Sequence, residues 1–237
     1  MINLTTKCDE ITNQIELLGE NVIVDGIVNI EKYTNSSLKI LWILKEPNSS
    51  DSKWSYQDYL SITEIERKIG SQQNTLTYRP FQKILYTSYG IISNMKYALI
   101  PTITEKDVYS IGEQIAYINI KKTGGSSSSK YREIQNAFEE NKEILLRQIS
   151  EYDPNIIIFG NTLNYIGKND LTRIGWNLND DDSFYADDKT KSTRFYNVSH
   201  DKLCIHAYHP SYWKIKNSIY CSEIIEGVEK WRNSIVK

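Results

Sequence analysis

The sequence predicts an α/β protein in which helices cover both faces of a parallel β-sheet. Four apolar runs lack the alternation of a half-exposed strand, which indicates strands buried on both faces. They span residues 38–44, 115–120, 155–159 and 203–207. Helical patterns lie between and around these runs, as is typical of a layered α/β domain. No proline-rich or charge-block linker interrupts the 237 residues, so we expect a single domain over residues 1–237.

Four segments carry helical periodicity. Ile11, Ile15 and Leu18 are spaced to share one face of a first helix. A second helix is expected to start after Pro80, because proline is tolerated in a first helical turn. The remaining two helices are predicted over residues 131–149 and 219–235.

Two polar segments are expected to be irregular. Residues 123–129 are rich in glycine and serine and follow the second strand directly, so we expect a mobile loop. Residues 179–191 are acidic and polar, and we expect them to form an exposed connection.

The composition narrows the class of protein. The formal net charge is −2, which excludes a broad basic surface but leaves room for a local basic patch. Cys8, Cys204 and Cys221 do not have metal-ligand spacing, so no zinc or iron–sulfur centre is expected. No apolar run is long enough to span a bilayer and the first residues lack a signal-peptide core. We therefore expect a cytoplasmic protein that does not contact membranes.

A carboxylate and an imidazole follow the first and last predicted strands. Glu46 precedes Pro47, and His209 precedes Pro210 and Ser211. The carboxyl ends of parallel strands meet at one edge of a sheet, so these groups are expected to share a cleft. A carboxylate there can orient a water or stabilise a developing cation, and a histidine can donate a hydrogen bond to a developing anion. A turn glutamate and a loop-capping histidine are the simpler alternatives.

Asn119 lies inside the second predicted strand. An unpaired buried carboxamide costs roughly 1–3 kcal/mol, so this side chain needs partners. It offers both a donor and an acceptor, which suits the polar edge of a nucleobase. Neighbouring backbone groups are the alternative partners.

Cationic, hydroxyl and aromatic side chains surround these positions. Lysines and serines near strand ends suit phosphate contacts, and exposed aromatic rings next to a polar site can stack on a base. Ordinary solubilising loops, and packing of Trp213 beneath the last helix, are the alternatives. The candidate DNA-binding residues are Lys45, Ser49, Lys121, Lys122, Ser211, Tyr212 and Trp213.

The order of these motifs resembles that of the uracil-DNA glycosylase superfamily. The matching features are the strand before Glu46-Pro47, the strand carrying Asn119, the run ending in Gly160, and His209-Pro210-Ser211. The resemblance covers roughly residues 38–215. It implies a three-layer sandwich around a central four-stranded parallel sheet. It also implies a monomeric enzyme that needs no metal or cofactor and excises a flipped base from DNA, because the glycosidic bond is inaccessible in the stack.

The resemblance also implies a role for each candidate residue. Glu46 stands where relatives have Asp or Asn and would position water or stabilise the sugar cation. Asn119 would read the flipped base, and His209 would stabilise charge on the leaving base. Ser211 would hold a phosphate, and Tyr212 or Trp213 would act as the wedge.

The departures from the family pattern concern the substrate. Asn48 follows Pro47 where the uracil-specific branch has a tyrosine that blocks substituents at C5 of the base. We therefore expect Pro47 and Asn48 to border a pocket that admits a modified pyrimidine, such as the glucosylated hydroxymethylcytosine of phage DNA, although uracil remains an alternative. Excision of such a base would serve antiphage defence.

The sequence is also compatible with two other functions. The chain would act as a catalytically inactive DNA-binding module if the fold were kept without the chemistry. A metal-dependent hydrolase would instead use His200, His206, His209 and Asp201, although side chains three apart in a strand point to opposite faces.

Overall fold

A computed structural model describes residues 3–49, 54–70, 79–125, 128–187 and 192–235. Within these ranges the chain forms seven strands in one mixed sheet, in the order β1-β3-β2-β4-β7-β6-β5. The strands are β1 (Gly26–Ile27), β2 (Ile40–Leu44), β3 (Ile115–Asn119), β4 (Ile156–Gly160), β5 (Ser183–Tyr185), β6 (Arg194–Ser199) and β7 (Lys202–Ala207).

The four central strands run parallel, as the four apolar runs predict. In the register of β3, β2, β4 and β7, Leu44 lies opposite Asn119, Ile43 opposite Phe159 and Gly160 opposite Ala207. The prediction of an α/β fold is confirmed. The predicted strand number is wrong, since β1, β5 and β6 extend the sheet with antiparallel pairings. Strand β5 lies within the segment 179–191 that was expected to be a plain connection, and residues 188–191 lie outside the described residues.

The helices follow the predicted periodicity, with several short additions. Their bounds are α1 (Leu4–Glu16), α2 (Ile30–Thr34), α3 (Tyr56–Tyr59), α4 (Ile62–Gly70), α5 (Arg79–Ile92), α6 (Lys106–Tyr109), α7 (Tyr131–Tyr152), α8 (Lys168–Arg173) and α9 (Asn217–Ile235). Short 3₁₀ turns cover Tyr97–Leu99 and Ser110–Gln114.

Two helix ends are set by local chemistry. Asn3 caps α1 by accepting a hydrogen bond from the Thr6 backbone N–H. The first helix ends at Glu16, so Leu18 lies beyond it and is exposed, contrary to prediction. Helix α7 continues to Tyr152 and stops at Asp153, which adopts a left-handed conformation before Pro154.

Two apolar cores lie on opposite faces of the sheet. Leu41 and Ile43 of β2 pack in the core that contains residues of α1, α7 and α8. Ile40, Trp42 and Leu44 pack in the second core, against residues of α5 and α9. Because both faces are covered, β2 needs apolar residues at every position, which explains its lack of alternation. Among the described residues, no helix is both long and apolar enough to cross a membrane.

Candidate active site

The loops that carry Glu46 and His209 both lie at the carboxyl edge of the sheet, on either side of the end of β4. Strand β4 lies between β2 and β7, and all three run in the same direction. Gly160 ends β4, and a methyl group there would overlap the Leu44 side chain and lie 3.1 Å from Cδ of Pro210. The missing side chain at Gly160 therefore lets the end of β2 and the His209-Pro210 turn approach each other.

The carboxylate of Glu46 is held by two side chains. Lys121 Nζ lies 2.9 Å from Oε2, and the Ser129 hydroxyl lies 2.6 Å from Oε1. The Glu46 side chain is only 5% exposed. These contacts fix its orientation, so Lys121 lies beside the candidate catalytic carboxylate.

The backbone at Gly125 packs directly on this carboxylate. A Cβ at Gly125 would lie 2.5 Å from Oε1 of Glu46 and closer still to Cδ and Oε2. Its N–H donates to the Pro47 carbonyl at 2.8 Å, and Gly125 forms an isolated bridge with Asn48. The start of the predicted mobile loop 123–129 is thus joined to the segment after β2, and residues 126 and 127 lie outside the described residues.

The segment after Glu46 has mixed accessibility. Pro47 is buried, and Asn48 is exposed. The indole N–H of Trp54 donates to the Ser49 hydroxyl at 3.2 Å, so this serine is engaged within the protein. Asn48 is therefore the most solvent-exposed of the three residues 47–49.

Asn119 ends β3 with a completely buried side chain. Its backbone N–H donates to Oδ2 of Asp25 at 2.7 Å. Among the described residues, neither the oxygen nor the nitrogen of its carboxamide has a partner in hydrogen-bonding geometry, although the Tyr56 hydroxyl lies nearby. An unsatisfied buried amide is costly, and a ligand with its own donor and acceptor would satisfy it.

Aromatic rings surround Tyr56, the neighbour of this amide. Ring centroids lie 4.8 Å apart for Trp54 and Tyr56, 4.5 Å for Tyr56 and Tyr117, and 6.4 Å for Phe81 and Tyr117. Tyr56, Tyr117 and Phe81 are buried, and all three belong to the second apolar core. Sequence reasoning missed this cluster, although the density of aromatic residues between Trp54 and Tyr59 was a usable signal.

Lys122 points into the protein, which corrects its assignment as a DNA-binding residue. Its Nζ lies 2.7 Å from Oδ1 of Asp25 and 2.8 Å from Oε1 of Gln148. Burial lowers the pKa of Lys122, and the adjacent Asp25 carboxylate opposes that effect. Asp25, which sequence reasoning also missed, thereby joins Lys122 to the backbone of Asn119 and holds the end of β3 in place.

The hydrogen bonds of the His209 ring define its tautomer. Its Nδ1 accepts a hydrogen bond from the Ser211 backbone N–H at 3.2 Å and lies 2.6 Å from the Ser211 hydroxyl. Because the backbone N–H can only donate, the neutral ring carries its proton on Nε2. Burial, followed by the charges of Lys45 and Lys83, lowers the pKa of His209 to about 4. At neutral pH the ring is therefore a neutral Nε2–H donor.

The charge of Lys45 acts on both Glu46 and His209. It adjoins Glu46 in sequence, and its positive charge also acts on His209. Its ammonium lies 5.9 Å from the centre of the Tyr165 ring, and burial lowers the pKa of Lys45. Lys45 thus lies within the site and not on an outer rim.

The residues after His209 form an accessible edge. Tyr212 stacks on Tyr208 with ring centroids 4.9 Å apart. Trp213 is 73% exposed, so the alternative in which it packs beneath α9 is wrong. A cavity of about 240 Å³ adjoins this edge, and its walls include Ser211, Trp213 and Lys216.

No protein-family model matches the chain, and no curated protein matches it in sequence. Among the described residues, no three histidine, cysteine or carboxylate side chains gather in a group that could hold a metal ion.

Proposed function

We propose that this protein is a DNA glycosylase that hydrolyses the N-glycosidic bond of a flipped pyrimidine and leaves an abasic site. The proposal is supported by the positions of Glu46 and His209 just beyond the carboxyl ends of β2 and β7, on either side of β4, with an oriented carboxylate on one loop and a neutral imidazole on the other. Together these residues supply the two kinds of charge stabilisation that the reaction needs. The proposed enzyme acts as a monomer and without a metal or cofactor.

Recognition of the base is assigned to Asn119. The flipped base would place its polar edge against the unsatisfied carboxamide and its face against the aromatic cluster around Tyr56. Extrusion is required because the bond to be cleaved is inaccessible in stacked DNA. Binding would repay the cost of the buried, unpaired amide, so the correct base gains affinity from a group that the free protein leaves unsatisfied.

Bond cleavage is assigned to Glu46 and His209. As the glycosidic bond breaks, positive charge develops on the sugar and negative charge on the base. Glu46 would stabilise the sugar cation or orient the attacking water, while the Nε2–H of His209 donates to the leaving base. Lys121 and Ser129 keep the carboxylate of Glu46 oriented before substrate arrives, so this stabilisation needs little reorganisation.

DNA contacts are assigned to the edge beyond His209. Trp213 is exposed enough to enter the gap left by the flipped nucleotide, and Tyr212 stacks beside it on Tyr208. Ser211 and Lys216 border a cavity of about 240 Å³, where a phosphate would be held. A local basic edge of this kind supports DNA binding despite the net negative charge of the chain.

The proposed substrate is a pyrimidine with a bulky substituent at C5, such as glucosylated hydroxymethylcytosine. The support is Asn48, which is small, polar and exposed where the resemblance expects a blocking tyrosine. Uracil is the second substrate to test. Activity on phage DNA would place the protein in antiphage defence in the cytoplasm.

A substrate panel tests the proposal. Purified protein is incubated with unmodified DNA, uracil-containing DNA and phage DNA carrying glucosylated hydroxymethylcytosine, and abasic sites are then cleaved with alkali. We expect breakage of a modified substrate, with Glu46→Ala and His209→Ala each slowing excision by at least about 10²-fold. His200→Ala is the matched control, because His200 is exposed at the β6–β7 turn.

One observation favours a second function, that of a DNA-binding module without catalysis. Glu46 is almost buried, and both of its carboxylate oxygens already have protein partners. Such a module would bind DNA with a strong salt dependence and release no base. Tight, salt-sensitive binding without strand breakage on any substrate would favour this function over the first.

A further inference from the structure

Lys83 lies on α5 but is connected to the loop that carries His209. It is 2% exposed, and its ammonium donates to the Tyr212 carbonyl at 2.9 Å. The Tyr212 N–H in turn donates to the His209 carbonyl at 2.8 Å. A single side chain from a distant helix therefore supports the turn that follows the candidate catalytic imidazole.

An aromatic residue of α9 reinforces this connection. The Lys83 ammonium lies 4.9 Å from the centre of the Tyr220 ring, a favourable cation–π distance. The Tyr220 hydroxyl donates to the Tyr208 carbonyl at 2.9 Å, on the other side of His209. Lys83 and Tyr220 thus hold the backbone both before and after the imidazole.

We propose that Lys83 is a positioning residue that fixes the turn carrying His209 and thereby holds the imidazole against the Ser211 N–H. Its catalytic consequence rests on the proposed glycosylase function, whereas its effect on the ring does not. Nothing in the sequence pattern marks Lys83, because its contact with Tyr212 spans 129 positions.

The two positive charges that act on His209 both lower its pKa. Lys45 approaches from the end of β2 and Lys83 from α5, and both lower the pKa of His209 in addition to the effect of burial. From its own turn, Ser211 supplies the hydroxyl and N–H next to Nδ1, and Tyr208 and Tyr212 supply neutral phenols. Removing the charge of Lys83 is therefore expected to make the ring easier to protonate.

The test is an NMR titration of the histidine rings in the full chain. His209 is assigned among the three histidines with His209→Gln, and its pKa and ring-nitrogen shifts are then measured. In Lys83→Met, which keeps most of the side-chain volume, we expect the pKa of His209 to rise by about half a unit or more. We also expect the Nε2–H tautomer to lose its dominance. Lys39→Met, at the opposite end of β2, is the matched control and should leave both quantities unchanged.

A second variant keeps the proposal testable if Lys83→Met does not fold. Lys83→Arg retains the positive charge, so it should keep the low pKa of His209. An unchanged titration and tautomer in folded Lys83→Met would overturn the proposal, as would an ordinary histidine pKa in Lys83→Arg.

Kinetics then separate this inference from the proposed function. On a substrate that the wild-type protein excises, Lys83→Met should lower kcat with little change in KM and move the acid limb of the pH profile upward. If the wild-type protein excises no base, the glycosylase proposal fails, while the NMR result still decides the role of Lys83.

Discussion

Gly125→Ala tests whether the orientation of Glu46 matters for catalysis. An added Cβ would lie 2.5 Å from Oε1 of Glu46, whereas ordinary contacts begin near 3.4 Å. The carboxylate must therefore move by about 1 Å if the backbone stays in place. Such a movement would disrupt the contacts of 2.9 Å to Lys121 and 2.6 Å to Ser129.

The expected loss of activity follows from this displacement. A misplacement of about 1 Å at a catalytic group costs on the order of 10²-fold in rate. We therefore expect single-turnover excision by Gly125→Ala to be about 10²-fold slower than by the wild-type protein. The melting temperature should change little, because Gly125 lies in a loop and outside the two cores.

The control is Gly112→Ala, where the nearest atom to an added Cβ is 3.4 Å away. This variant should keep the wild-type rate. If folded Gly125→Ala excised its base at a rate within about threefold of wild type, the argument that the carboxylate is held in a catalytic orientation would be wrong.

Three further predictions follow from the same structure. Lys122→Met should lower the free energy of unfolding by about 3–5 kcal/mol in urea titrations, because it leaves the Asp25 carboxylate buried without its charge partner; a loss below about 1 kcal/mol would contradict the buried-pair assignment. Trp213→Ala should leave the melting temperature unchanged and weaken DNA binding by about 1–3 kcal/mol in fluorescence titrations, and equal affinities would remove its role as a wedge. Excision should persist as the pH falls through 6.5 and be lost only near pH 4, where Nδ1 of His209 gains a proton and can no longer accept the Ser211 N–H that positions the ring. An acid limb near 6.5 would contradict the low pKa of His209.

His209 also makes the free energy of unfolding depend on pH. Between pH 6.5 and about 4 the unfolded chain binds a proton at His209 and the folded chain does not. The free energy of unfolding should therefore decrease as the pH falls through this window, and the contribution of His209 should become constant below it. Urea titrations of wild type and His209→Gln across this range measure the difference.

The central sheet could be predicted because burial on both faces leaves a plain sequence signal. The apolar runs at residues 38–44 and 155–159 correspond to β2 (Ile40–Leu44) and β4 (Ile156–Gly160). The edge strands were missed because they are short or polar. Strand β1 has two residues and β5 has three, which is too few for a periodic pattern.

The site was predictable only in part, because its residues follow from local sequence features but its contacts do not. The positions of Glu46, Asn119 and His209 follow from strand ends, which are local features of the sequence. The contacts that define their states are not local. Asp25 reaches Lys122 across 97 positions, and Ser129 reaches Glu46 across 83. Strand position alone therefore did not reveal that Lys122 points inward or that Glu46 is held on both oxygens.

The most direct test of the glycosylase proposal is to measure the free base released from DNA by mass spectrometry. Under single-turnover conditions, we expect the wild-type protein to release a modified pyrimidine from phage DNA in amounts equal to the abasic sites formed. Glu46→Ala should release it at least about 10²-fold more slowly. Absence of a free base from every DNA tested, or equal release by Glu46→Ala and wild type, would contradict the account.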